Sequence, residues 1–224
     1  MPVDNDRFQS LIRRAAFNAE LWRGTVQDLS PAQRAMAFVG APTWSRINGW
    51  PILKQNAVGD GATSGNVANI VDVTTPFWLE CIFVSTAGGT ACYALQQGLS
   101  TFGGFVWYWS VGAGNKLVLE MYDGAAGAAR SIAGAGGSHM PGILRHTILA
   151  VTPLSGSCWV NGIPSAMTIV NTRAATNCAP RAVRVMGTLG GCCQTMLARA
   201  WQGTPTNEDV ACLAEQAKLM VGGW

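Results

Sequence analysis

Charge is scarce in this sequence. Only 12% of the 224 residues are Asp, Glu, Lys or Arg, about half the average share in soluble domains, whereas 49% are hydrophobic. Much of the chain must therefore lie in a large core or against other subunits. The net charge of +3 comes without any long run of basic residues, so the sequence lacks the electrostatic footprint of a nucleic-acid-binding protein.

Long apolar segments and targeting signals are absent as well. No run of about 18 apolar residues occurs, so the sequence predicts no membrane-spanning helix. The N-terminal segment lacks the apolar centre of a secretion signal. We therefore expect a protein that is made in the cytoplasm and makes no contact with a membrane.

Motifs for metal binding and hydrolysis are also missing. Seven cysteines are present, but no two are spaced as CxxC, the close pairing typical of zinc sites. We expect these thiols to be buried and reduced. The sequence contains neither HExxH nor GxSxG, so it predicts neither a zinc protease nor the nucleophile of an α/β-hydrolase.

Two isolated carboxylates are the remaining candidates for acid–base chemistry. Glu80 and Glu120 each stand in an apolar, strand-like run, without a second carboxylate two or four residues further on. Glycosidases need two carboxylates flanking one bond, and residues at those spacings share one face of a strand. We therefore predict a non-enzymatic protein. A hydrolase would require Glu80 and Glu120 to lie about 5–10 Å apart in an open cleft.

The first 44 residues show helical rather than strand-like spacing. Apolar residues recur at helical intervals until Gly24, which predicts one amphipathic helix. Ser30 and Pro31 form a good start for a second helix, Ala32 to Phe38. We expect residues 1–44 to form a helical arm outside the main domain. The large apolar residues of this arm are Phe8, Leu11, Ile12, Phe17 and Trp22.

Residues 45–224 show the pattern of an all-β domain. Short apolar runs alternate with glycine-rich turns, for example 77–84, 104–109 and 116–122. A capping pattern that begins at Thr206 predicts a helix at the C-terminal end. The expected fold is an antiparallel β-sandwich with a short N-terminal helical arm and a C-terminal helix.

Tryptophan is unusually frequent, with nine residues. Trp107, Tyr108 and Trp109 follow one another in a predicted strand, so Tyr108 points to the face opposite the two tryptophans. One of these faces fills the core, and the other is available to stack on sugar rings or to form a protein interface. The sequence leaves both uses open.

Three stretches follow the pattern of a known β-sandwich. They are residues 75–82, residues 146–162 with an Asn161-Gly162 turn, and residues 197–210. Together they resemble the laminin-G-like (LamG) branch of the concanavalin A-like jelly roll, over about 150 residues from roughly residue 60 onward. The resemblance implies a concanavalin A-like jelly roll as the fold of the β-rich part.

LamG-like domains also occur in bacteriophage virion proteins, which this chain resembles in having no signal peptide, no paired-cysteine framework and a short helical arm. The resemblance implies a non-enzymatic virion structural protein: a capsid-decorating (cement) or tail-accessory protein that contacts other virion proteins as a homo-oligomer. The arm residues Phe8, Leu11, Ile12, Phe17 and Trp22 would then dock the domain to its neighbours. The alternative is a carbohydrate-binding adhesin or receptor-binding module that contacts its glycan through Trp107, Tyr108 and Trp109.

Calcium is the metal that the family resemblance leaves open. Calcium requires several oxygen ligands from loops, and the acidic loop residues are Asp60, Asp72 and Asp123. Each stands alone, and Asp60 lies between two glycines, where an aspartate commonly forms a turn. We expect no other cofactor.

Overall fold

The computed structural model describes residues 4–85, 91–99, 102–110, 116–125, 128–134, 142–152, 155–170, 174–186 and 193–222. These residues form two α-helices, α1 (Asn5–Arg14) and α2 (Asn207–Val221), and sixteen β-strands. The strands are β1 (Phe17–Ala19), β2 (Met36–Val39), β3 (Thr43–Ile47), β4 (Trp50–Lys54), β5 (Gly61–Val67), β6 (Phe77–Ser85), β7 (Ala91–Leu99), β8 (Gly103–Ser110), β9 (Lys116–Tyr122), β10 (Ala128–Gly134), β11 (Arg145–Val151), β12 (Gly156–Val160), β13 (Ile163–Ser165), β14 (Met167–Val170), β15 (Arg181–Val185) and β16 (Cys193–Gln202).

The strands form two antiparallel sheets of eight strands each. Sheet A has the order β13-β12-β11-β6-β16-β4-β3, and β1 pairs with β16 beside that path. Sheet B has the order β14-β10-β9-β8-β7-β15-β5-β2. The predicted antiparallel β-sandwich is therefore confirmed.

The core between the sheets follows from the two-residue period of the strands. In β6, Phe77, Leu79 and Phe83 are fully buried in the cluster between the sheets. Trp78 and Ile82 alternate with them and belong to two other clusters, on the outer face of sheet A. Each large apolar side chain removed from water stabilises the fold by about 1.5–3 kcal/mol.

The two helices cover the outer face of sheet A as a third layer. Leu11 of α1 packs with Trp78 and Trp201, whose rings stack with centroids 4.0 Å apart. The capping box of Thr206 and Asp209 starts α2, which confirms the predicted C-terminal helix. None of the helices in the described part of the chain combines the length and apolar character that a membrane crossing needs.

The predicted arm is wrong in its second half. The helix predicted from Ala32 to Phe38 is absent, and β2 forms there and pairs with β5. The Ser30-Pro31 signal produces only a turn, closed by a hydrogen bond from the Gln33 amide to the Ser30 carbonyl oxygen. Partly buried Met36 packs on the core between the sheets. Tertiary pairing therefore overrides the local helix signal.

The first half of the arm is also integrated into the sandwich. The helix predicted to run to Gly24 ends at Arg14, and β1 then pairs with β16, with Phe17 opposite Ala200. The Asp28 carboxylate fixes the following turn by accepting the backbone amides of Asn18 and Ser30, both at 3.0 Å. Residues 1–44 thus contribute β1 and the start of β3 to sheet A and β2 to sheet B.

The structure agrees with the expectation that the cysteines are buried thiols. The six cysteines in the described part of the chain are free thiols and buried, and Cys192 lies outside the described residues. They are Cys81, Cys92, Cys158, Cys178, Cys193 and Cys212.

Candidate functional site

Strand β8 places the predicted aromatic residues on two different faces. Trp107 and Trp109 point into the core and are fully buried, at 0% exposure. Tyr108 points to the outer face of sheet B and is half-buried. This corrects the expectation that the two tryptophans contact a glycan, since both side chains belong to the core between the sheets. Tyr108 is the residue of the three that a ligand can reach.

Tyr108 lies in a cluster that contains all three tyrosines of the chain. Tyr93 of β7 is paired with Tyr108 in register, and their rings stack with centroids 5.2 Å apart. On β9, Glu120 and Tyr122 share the same face at a spacing of two residues. The Tyr108 hydroxyl donates to Glu120 Oε1 at 3.0 Å, and the Tyr122 hydroxyl donates to Oε2 at 2.7 Å. These four residues are named the tyrosine platform.

The platform's accessibility differs between its members. Tyr93, Tyr108 and Glu120 are half-buried, whereas Tyr122 retains 8% exposure. Tyr122 therefore fixes the Glu120 carboxylate through a partly buried hydrogen bond. The stacked pair and the carboxylate remain open to a ligand. Sequence reasoning missed Tyr93, Tyr122 and the position of Glu120, although the Glu120-x-Tyr122 spacing was an available signal for a shared face.

The electrostatics of the platform keep its phenols protonated. Burial raises the pKa of Tyr93, Tyr108 and Tyr122, and the nearby Glu120 charge raises each of them further. Protonated phenols donate hydrogen bonds, so both oxygens of Glu120 accept from tyrosines. A carboxylate offers about four acceptor positions, which leaves about two for donors of a ligand.

The arm residues pack on their own chain. Leu11 and Phe17 are fully buried, and Phe8 packs on the outer face of sheet A. Trp22 meets Trp50 edge-to-face at 5.6 Å, and Ile12 is half-buried. The full burial of Leu11 and Phe17 makes these two residues unavailable to a neighbouring molecule. Docking through Phe8, Ile12 and Trp22 stays a prediction.

A different apolar surface is open at the edge of the sandwich. β2 and β3 are the outermost strands of sheets B and A. Phe38 of β2 is 50% exposed and Trp44 of β3 is 38% exposed, with ring centroids 6.3 Å apart. A cavity of about 400 Å³ adjoins Trp44 and is lined by Gly24, Arg46 and Pro51. This surface is named the edge cleft.

Glu80 belongs to a buried polar network under the helices. It accepts from Arg199 at 3.0 Å and contacts His146 Nε2 at 2.9 Å. Burial opposes ionisation of Glu80, but the Arg199 charge and the His146 contact outweigh it and lower its pKa. Arg199 also reaches Glu20 at 2.6 Å and Asn18 at 2.9 Å.

The two candidate acids for hydrolysis are not brought together. Glu80 faces outward from sheet A into the helical layer, whereas Glu120 faces outward from sheet B. The sandwich lies between them, so Glu80 and Glu120 form no catalytic pair.

The carboxylates that were considered as calcium ligands accept hydrogen bonds from the protein itself. Asp60 accepts the backbone amides of Ala41, Asn56 and Ala57. These bonds to Asp60, the Ala41 bond first, lower its pKa despite some burial.

The other two loop acids also cap turns. Asp72 accepts from Thr74 and Asn177, and Asp123 accepts the Ala125 amide. The described residues contain no cluster of three His, Cys, Asp or Glu side chains able to hold a metal. A calcium site at Asp60, Asp72 or Asp123 therefore stays a prediction.

The fold is an antiparallel β-sandwich with an N-terminal and a C-terminal helix, and similar solved structures share this fold. No protein-family model and no curated protein matches the sequence. Similar solved structures include the receptor-binding domain of the botulinum neurotoxin C/D mosaic serotype, with a TM-score of 0.71 and 10% identity over 92% of this chain. The binding domain of Paraclostridial Mosquitocidal Protein 1 gives 0.71 and 12% over 91%.

A third similar structure carries a ligand. The botulinum neurotoxin serotype D ligand-binding domain in complex with N-acetylneuraminic acid has a TM-score of 0.73 and 9% identity over 95% of this chain. The chain spans about half the length of these structures, 52% or 53% of each. At such identities the likeness shows the fold alone.

Proposed function

We propose that this chain is a non-enzymatic carbohydrate-binding module whose binding site is the tyrosine platform on sheet B. The observation that carries the proposal is the Glu120 carboxylate, held by two tyrosine hydroxyls beside the stacked Tyr93–Tyr108 pair. Phenol rings offer an apolar surface for the CH faces of a sugar, and the carboxylate accepts its hydroxyls.

The position of the platform supports a binding role. β7, β8 and β9 are consecutive interior strands of sheet B, so each side chain stands on backbone paired at both sides. Outward-facing polar groups on such a frame are preorganised, which reduces the entropy lost on binding. The similar structures are themselves named as receptor-binding or ligand-binding domains, which is consistent with a binding module.

The test is a glycan array followed by titration calorimetry on the wild type, Tyr108→Ala and Thr168→Ala. Thr168 is exposed on the neighbouring part of sheet B and serves as the matched control. We expect the wild type and Thr168→Ala to bind the same glycans. Tyr108→Ala removes the stacked ring and should weaken binding at least about tenfold, ~1.4 kcal/mol. A wild type that binds no glycan, or equal binding by Tyr108→Ala, would overturn the proposal.

A second candidate function is structural assembly. The LamG resemblance led to the prediction of a bacteriophage virion protein that decorates capsids or belongs to tails and self-associates. The edge cleft supports an assembly role, because Phe38 and Trp44 expose aromatic surface beside two unpaired strand edges. The docking residues of this proposal are therefore Phe38 and Trp44 rather than the arm. The virion role and the LamG assignment themselves stay predictions.

A further inference from the structure

The charges around the tyrosine platform are unevenly distributed. Glu120 is the acidic group at its centre, and its hydrogen-bonding partners are neutral phenols. In the register of sheet B, Gln96 and Ser131 lie in the same cross-strand row as Glu120, and both are neutral.

The basic residues on this face stand at backbone positions far from that of Glu120. Among the described residues they are Lys116 and Arg184. Lys116 is four residues away along β9, about 13 Å. Arg184 lies on β15, which is separated from β9 by β8 and β7. Three strand spacings put its backbone about 14 Å from that of Glu120. In the described part of the chain, the Glu120 carboxylate accepts hydrogen bonds from Tyr108 and Tyr122 and not from either cation.

The hydrogen-bonding groups that the platform leaves for a ligand are mainly acceptors. The phenol protons of Tyr108 and Tyr122 are used on Glu120. What remains for a ligand is acceptor capacity on the carboxylate and on the hydroxyl oxygens, the phenol proton of Tyr93, and the electron-rich faces of the stacked rings. Such a surface favours ligands that donate hydrogen bonds or carry positive charge.

From this arrangement we infer that the platform selects glycans by charge. It binds sugars with a protonated amino group more tightly than their N-acetylated counterparts, and it excludes sugars that carry a carboxylate. This inference rests on the proposed carbohydrate-binding function. An ammonium group donates a charge-assisted hydrogen bond to Glu120 and lies against the phenol faces, whereas a ligand carboxylate is repelled by the Glu120 carboxylate.

Three matched oligosaccharides test the inference by calorimetry at one fixed, mildly acidic pH at which the amino sugars are protonated. They are a β1,4-linked glucosamine oligomer, its fully N-acetylated form and a uronic acid oligomer of equal length. The wild type should bind the amino form about tenfold more tightly, ~1.4 kcal/mol, and the uronic acid form not measurably. Glu120→Gln removes the charge but keeps the size, and should reduce the amino preference to about twofold or less.

Tyr108→Ala and Thr168→Ala separate the two proposals. Loss of binding to every oligomer in Tyr108→Ala, but not in Thr168→Ala, assigns the signal to the platform. If the wild type binds the three oligomers equally, or prefers the uronic acid form, and Tyr108→Ala abolishes that binding, the charge inference is overturned while the carbohydrate-binding function stands. A charge preference unchanged in Glu120→Gln also overturns it. A wild type that binds none of the oligomers and no glycan on the array overturns both.

Discussion

Replacing Arg199 with methionine tests the buried polar network directly. The guanidinium is 2% exposed and contacts three side chains: Glu80 at 3.0 Å, Glu20 at 2.6 Å and Asn18 at 2.9 Å. Methionine keeps much of the side-chain length but removes the charge and all these donors. The buried carboxylates of Glu20 and Glu80 would then have one cation fewer beside them.

The magnitude follows from the partners that remain. Breaking a buried ion pair by removing one partner costs about 3–5 kcal/mol. Arg23 still contacts Glu20 at 2.6 Å, and His146 still contacts Glu80 at 2.9 Å, so we expect the lower end, about 3 kcal/mol. For a chain of this size that corresponds to a fall in Tm of roughly 6–12 °C.

The loss should depend on pH with a defined sign. Burial works against ionisation of Glu20 and Glu80, but Arg199 and the other partners outweigh it and lower both pKa values. The stability that these carboxylates contribute is therefore present above the unfolded-state pKa of about 4.3 and disappears as pH falls through the lower folded pKa. Without Arg199, burial dominates and both carboxyls protonate more readily. The gap between variant and wild type should be largest near neutral pH and shrink in acid.

Urea unfolding at about pH 7 and about pH 4, on either side of the ordinary glutamate pKa, measures this gap. Arg13→Met, on the exposed face of α1, is the matched control and should change the free energy of unfolding by less than about 0.5 kcal/mol. Adding Glu80→Gln to Arg199→Met removes one buried charge and should restore part of the loss. A deficit below about 1 kcal/mol at pH 7, or an equal deficit at both pH values, would refute this account of the network.

Three further outcomes follow from particular contacts. Burial raises the pKa of the Cys158 thiol to about 12, so a thiol reagent at pH 8 should modify Cys158 only after unfolding; rapid labelling of the native protein would contradict this. Trp107→Ala should lower the free energy of unfolding by about 3–5 kcal/mol, while Tyr108→Ala, at a half-buried position, should cost less; equal losses in denaturant titrations would contradict the core assignment. If the edge cleft mediates assembly, light scattering should find an oligomer for the wild type that Trp44→Ala dissociates and Thr168→Ala does not; a monomeric wild type would refute self-association through this surface.

Strand alternation predicted the sandwich and the split between Trp107, Tyr108 and Trp109, because a two-residue period is a local property of the backbone. It did not predict which face of β8 is buried, since both faces of this strand are apolar in sequence. That choice depends on the neighbours of β8. Tyr93 and Glu120 bring polar groups to the Tyr108 face through cross-strand register, which a single sequence does not specify.

In the N-terminal segment, the sequence pattern predicted the helix but not the residue at which it ends. Phe8, Leu11 and Ala15 follow a true helical spacing, but the same spacing continues into Phe17 and Ala19, which are strand residues. The helix ends because the Ala16 amide donates to the Ala200 carbonyl oxygen at 2.8 Å and starts the pairing of β1 with β16. A partner about 180 residues away in sequence therefore decides the boundary, and local capping signals carry no information about it.

The two outer faces of the sandwich explain why the binding site is proposed on sheet B. On sheet A the outward residues of β6 and β16 include Trp78, Ile82 and Trp201, and α1 and α2 bury them. The ionised groups on that face, Glu80 and Arg199, are consequently paired with each other and inaccessible. On sheet B the outward face carries the half-buried Glu120, whose partners are neutral phenols. A carboxylate that is fixed by two phenols and still reachable is able to exchange water for a ligand, whereas the buried carboxylates of sheet A are already paired with Arg199.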